Sequence, residues 1–224
     1  MNRRRMMMMN QGGGYPRNGL VAEYLFEDNF NDTSGNGNDA SSTDYIGFVT
    51  GKVGKCVSCD RTSNVTSRIT TPSVSTMGCK TFSVCFKRGS GAYTSDKFMV
   101  SCYAYNIYFS ISDTEIWFLG GAPSVNLVFS GGVPTSDSDW HHVAFVWQSG
   151  TLTSCVVDVY LDGVKLTLSS GTYTSETAIN NVFSQLGTNY TGSLNTGYYD
   201  QYRIYNRVLA ESEILKLYNN GTGV

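Results

Sequence analysis

The 224-residue chain has two histidines, His141 and His142, and they are adjacent. On an extended strand neighbouring residues point to opposite faces, so this pair cannot share a metal ion or a substrate. Carboxylates offer no better start for catalysis. A retaining glycosidase needs two carboxyl groups about 5–5.5 Å apart, which a strand can supply with alternate acids on one face. The nearest approach is Asp137-x-Asp139, in a polar turn before Trp140. The sequence has no serine–histidine–aspartate pattern and no glycine-rich phosphate loop opening a helix. These residues predict a non-enzymatic protein.

The six cysteines are Cys56, Cys59, Cys79, Cys85, Cys102 and Cys155. Cys56-x-x-Cys59 has the spacing of half a zinc site, but Cys79 and Cys85 are too far apart in sequence to complete it. Cys85, Cys102 and Cys155 lie in strand-like runs, where a thiol behaves as a small hydrophobe. No apolar stretch matches a signal peptide or a membrane span, so reduced thiols and no membrane partner are expected.

Any site must be positioned by strands. Trp140–Trp147, Val156–Val164 and Tyr199–Arg207 are rich in β-branched and aromatic residues and alternate at a period of two. Asp162-Gly163 between Val157–Leu161 and Val164–Leu168 is a two-residue hairpin signal. Leu20–Phe26 reads as a first strand, followed by a loop of Asn, Asp and Gly. Further strands are expected at Tyr45–Val49, Asn64–Thr70, Thr81–Arg88, Lys97–Tyr103, Tyr105–Ser110, Thr114–Leu119 and Ser124–Phe129. In Thr81–Arg88 the residues Phe82, Val84 and Phe86 predict an apolar face, with a wetter face of Ser83, Cys85 and Lys87. One helix is expected over Leu209–Tyr218. Glu213 stands where a capping box needs it, but Ala210 occupies the Ser/Thr position.

Charged residues make up 15% of the chain, and the net charge of −2 gives no reason to expect nucleic acid. The charge is unevenly placed. Arg3, Arg4, Arg5 and Arg17 give the first 19 residues +4, which leaves −6 on the rest. Met6, Met7, Met8 and Met9 follow the arginines, and unbranched methionine suits an irregular groove. Residues 1–18 therefore read as a basic Met/Gly-rich anchoring arm and 19–224 as one sandwich domain. Arg3, Arg4, Arg5 and Met6 to Met9 are the expected contacts with other protein subunits, in an oligomer or larger assembly.

The first strand with its Asn/Asp/Gly loop, Trp140-His141-His142-Val143, the Tyr160-Leu161-Asp162-Gly163 hairpin and Asp200–Leu209 with the following helix together resemble the concanavalin A-like lectin/glucanase superfamily. The likeness is to its laminin G-like, pentraxin-like branch, over about residues 19–220. It implies an all-β fold, a two-sheet antiparallel jelly-roll sandwich, to which the residue patterns add one short C-terminal helix and an extended N-terminal arm.

The resemblance also implies a structural calcium ion, with carboxylates from Asp32 and Asp200 and carbonyls from the Gly35–Asn38 turn. No other cofactor is expected. Glycan contacts would come from exposed aromatics, with Tyr103, Tyr105, Trp117 and Tyr198 as the candidates. Two functional classes follow. One is a structural display protein, most readily a bacteriophage virion accessory (capsid decoration or fibre) protein made in the host cytoplasm. The other is a free-standing carbohydrate-binding module.

Overall fold

The computed structural model describes residues 14–42, 46–59, 68–72, 80–89, 99–102, 107–111, 116–120, 125–130, 139–149, 156–173, 185–187 and 197–220. They form two eight-stranded antiparallel sheets and one helix. The first sheet runs β13 (Val164–Lys165), β12 (Val156–Leu161), β11 (Trp140–Ser149), β6 (Thr81–Arg88), β16 (Gly197–Tyr205), β4 (Lys55–Cys59) and β3 (Ile46–Thr50). β1 (Leu20–Tyr24) pairs with the C-terminal half of β16. The second sheet runs β14 (Thr167–Tyr173), β10 (Val125–Ser130), β9 (Ile116–Gly120), β8 (Ile107–Ile111), β7 (Met99–Cys102), β15 (Gln185–Gly187), β5 (Arg68–Thr70) and β2 (Ser41–Ser42). This is the all-β jelly-roll sandwich that the sequence predicts.

The sheets meet through one apolar core. Phe82, Val84 and Phe145 of the first face Ile116, Phe118, Leu127 and Phe129 of the second. Phe118 packs on Phe145 at 5.1 Å between ring centroids, and edge-on to Trp147 at 6.1 Å. Such offset and edge contacts add to the burial of the rings themselves.

The other face of the first sheet differs from expectation. Thr81 to Phe86 are buried without a break, Ser83 and Cys85 included. The reason is a second layer. Helix α1 (Glu211–Asn220) sets Ile214 and Leu217 against Ala144, Val146, Tyr160 and Tyr205. Beside it, Tyr15 joins the same cluster, and the Tyr205 hydroxyl donates to the Pro16 carbonyl at 3.0 Å. Gly14–Asn18, read from the sequence as the end of the arm, are thus a strap folded onto the domain.

Local rules account for most boundaries. β1 stops at Tyr24 because Phe26 turns out of the strand at φ 55°. Asp162 and Gly163 take φ of 49° and 78°, the left-handed pair that a tight hairpin turn requires. The strand expected over Val164–Leu168 is two strands. β13 ends at Lys165, buried Leu166 bonds back to the Val159 carbonyl, and β14 continues in the second sheet. At the helix start half a capping box forms: Glu213 accepts the Ala210 amide at 3.0 Å, and Arg207 grips the same carboxylate at 2.6 and 2.8 Å. That Arg207 hydrogen bond, with the Ala210 amide, brings the Glu213 carboxyl down to about 2.

Candidate functional site

On the second sheet, Ile116, Phe118, Leu127 and Phe129 belong to the core, so the alternate positions of β9 and β10 lie on the outer face. Trp117 is among them and is 36% exposed. Register puts it opposite Val128 on one side and Ser110 on the other, with Ser170 beyond Val128. Two residues along the strands, the next row on this face holds Thr172, Asn126, Leu119, Tyr108, Ser101, Gln185 and Thr70 in cross-strand order. Gln185 is buried there, and its Oε1 has no protein partner. An indole beside hydroxyl and amide positions provides a flat apolar surface with hydrogen-bonding groups along its border.

The outer face of the first sheet is a sealed polar layer. One cross-strand row reads Glu23, Arg203, Ser83, Ala144 and Tyr160. Arg203 Nε donates to Glu23 Oε1 at 2.8 Å, both side chains being buried, and the Tyr15 ring covers the guanidinium. Burial opposes ionisation of Glu23, but the Arg203 charge outweighs it and lowers the carboxyl's pKa. In the neighbouring row, His142 lies beside Cys85 and Cys85 beside Asp200. His142 Nε2 meets Ser83 Oγ at 2.9 Å, and burial drives the imidazole down to about 3, so it stays neutral. His141 lies on the opposite face near Phe86, with Nδ1 on Asp162 Oδ2 at 2.7 Å. Asp162 also accepts the His142 amide, so both histidines brace the hairpin.

Asp32 and Asp200 serve different turns. Asp32 Oδ1 accepts the amides of Glu23 and Ser34, while Oδ2 accepts the Ser34 hydroxyl and the Asn38 amide, all within 3.0 Å. Burial raises its pKa, yet these donors outweigh it and leave the carboxyl lowered. Asp200 lies under the Gly51–Gly54 turn, where Oδ2 accepts the Val53 amide at 2.9 Å. Burial pushes this carboxyl up to about 7, and Oδ1 has no partner. The two share no donor. Among the described residues no group of three His, Cys, Asp or Glu side chains converges as metal ligands would. Ca²⁺ takes six to eight oxygens; both Asp32 oxygens and Asp200 Oδ2 already accept donors, which leaves Asp200 Oδ1 as the one uncommitted carboxylate oxygen of the pair.

Other expected site residues are dispersed. Tyr198 is half-buried on β16, where register with Lys87 and Ser58 puts it on the outer face of the first sheet, away from Trp117. Tyr103 and Tyr105 lie outside the described residues, as do Arg3, Arg4, Arg5 and Met6 to Met9. The sequence reading missed the Glu23–Arg203 pair and Gln185. Glu23 in the middle of the apolar run Leu20–Phe26, and Arg203 between Tyr202 and Ile204, were the available signal for the first.

A laminin G-type family model of the concanavalin A-like lectin/glucanases superfamily matches residues 62–215. The chain belongs to that superfamily. Solved structures of similar fold include domain 4 of AbnA, an extracellular arabinanase from Geobacillus stearothermophilus described in complex with arabinotriose. It has a TM-score of 0.62 and 23% identity, over 88% of this chain and 97% of that one. The binding domain of Paraclostridial mosquitocidal protein 1 has a TM-score of 0.62 at 18% identity, over 91% of this chain and 52% of its own. Trypanosoma rangeli sialidase has a TM-score of 0.66 at 17% identity, over 93% of this chain but 34% of the enzyme. This superfamily member thus spans nearly all of the first, half of the second and a third of the last. No curated protein sequence matches it at a significant level.

Proposed function

We propose that this chain is a non-catalytic carbohydrate-binding domain that takes its ligand on the outer face of the second sheet, around Trp117. The exposed indole carries the reading: it is a large apolar side chain on the outer face of the sheet, with Val128 and Ser110 as its cross-strand neighbours. The likeness to an arabinanase domain described with arabinotriose, and to a toxin's binding domain, supports it. The carboxylates of the described strands support a non-catalytic role. Glu23 is paired with Arg203, Asp158 with Lys165, and Asp200 is buried with a raised pKa. None is on the Trp117 face. The test is a glycan array followed by titration of the Trp117→Ala variant. The reading requires at least a ~10-fold loss of affinity, a difference of about 1.4 kcal/mol. Unchanged binding would sink it.

A second reading, display on a larger assembly such as a virion, rests on the strap. Tyr15, Pro16 and Arg17 fix the point from which residues 1–13 depart, beside helix α1. Under that reading Arg3 to Met9 dock on another protein subunit. Deleting residues 1–13 would leave the domain folded and abolish incorporation.

A further inference from the structure

The two sheets divide the charge unequally. The strands of the first hold Glu23, Lys87, Asp158, Lys165, Asp200 and Arg203 among others. All eight strands of the second contain a single charged residue, Arg68, on β5 near the far edge from Trp117. Around Trp117, register brings only Val128, Ser110 and Ser170, and the parallel row adds Asn126, Tyr108 and Thr172.

From this we infer that the ligand is an uncharged glycan, and that the face discriminates against uronic, sialic and sulfated sugars; the inference rests on the carbohydrate reading above. A neutral sugar offers C–H faces for the indole and hydroxyls that both donate and accept, which Ser, Thr, Asn and Tyr match. A carboxylate or sulfate needs a cation or a cluster of charged donors to replace its lost hydration. The rows beside Trp117 contain none. Gln185 Oε1, a buried atom on this face with no hydrogen-bond partner, is an acceptor, and the one cation of these strands, Arg68, is four strands away from Trp117. The Gln185 oxygen suits a hydroxyl donor and repels an anion. Hydroxyl and stacking contacts are also insensitive to ionic strength, whereas charge recognition is screened by salt.

The experiment is calorimetric titration of the full chain with an arabinan oligosaccharide and an oligogalacturonate of equal length, at low and high salt. Trp117→Ala and Val128→Lys are run alongside, with circular dichroism to confirm that each is folded. Support consists of binding to the neutral chain at least ~10-fold tighter than to the acidic one, unchanged by salt and lost in Trp117→Ala. Val128→Lys, which adds a cation beside the indole, should then narrow the gap. Tighter or salt-dependent binding of the acidic chain overturns the neutral-ligand inference while leaving the carbohydrate reading standing. Neutral binding that survives Trp117→Ala overturns the assignment to this face. Failure of both probes and of a wider glycan array removes the carbohydrate reading and the inference together.

Discussion

The Tyr15 ring lies 4.2 Å from the guanidinium carbon of Arg203, closing over a buried ion pair in which Arg203 Nε holds Glu23 at 2.8 Å. Arg17 reaches the other Glu23 oxygen at 3.1 Å and also donates to the Tyr15 hydroxyl. One short segment thereby ties the N-terminal residues to β1 and β16.

This arrangement sets the cost of opening it. Tyr15→Ala should destabilise the domain by about 1–2 kcal/mol, because a desolvated cation–π contact is lost. Arg203→Met should cost about 3–5 kcal/mol by leaving Glu23 buried and unpaired. The double variant Glu23→Leu/Arg203→Met should recover a substantial part of that loss. Urea unfolding of the four proteins measures these differences, and an Arg203→Met variant as stable as the parent would refute the account.

Two buried groups should oppose one another as pH changes. Asp200, raised to about 7, keeps a proton that the unfolded chain releases near about 3.9. Its contribution is full below the unfolded value and is lost as pH rises through 7. His142, lowered to about 3, stays neutral where the unfolded imidazole protonates near about 6.5. Its contribution is full above the unfolded value and is lost as pH falls towards 3. Between these unfolded values the two slopes cancel. Asp200→Asn should therefore leave stability rising with pH across that window, and His142→Gln should leave it falling. Parallel pH profiles for both variants would contradict the assignment.

The helix start can be improved. Ala210 supplies its amide to Glu213 but has no side-chain oxygen to return the bond. Ala210→Ser should stabilise the protein by about 0.5–1 kcal/mol, read as a higher melting temperature.

Calcium gives a sharp thermal test. The sequence resemblance expects Asp32 and Asp200 to bind one ion, whereas each carboxylate is engaged by its own turn. The melting temperature should stay unchanged through EDTA treatment and the return of excess Ca²⁺. An increase with Ca²⁺ that disappears in Asp200→Asn would restore the metal reading.

The sandwich was legible because its strongest strands alternate over many residues. β6 spans Thr81–Arg88 as expected, and the Asp162-Gly163 turn lies where the dipeptide puts it. β4 was hidden because Cys56-x-x-Cys59 drew attention to metal chemistry, although both thiols are buried and uncharged in a strand. The break at Leu166 was hidden for a different reason. An alternating run looks the same whether it stays in one sheet or passes into the next. Trp117 could be named as an aromatic candidate, but its separation from Tyr198 depends on which sheet each strand joins, and local pattern does not encode that. The burial of Ser83 was equally illegible, since it depends on a helix some 130 residues downstream.

The strap also fixes handedness of access. Tyr15 lies against the outer surface of the first sheet, while Trp117 is exposed on the far surface of the second. A dye attached at Tyr15 itself would stand on the opposite side of the sandwich from the indole. The molecule is two-faced in a practical sense: held at its Tyr15 strap, it keeps the Trp117 sheet turned toward solvent.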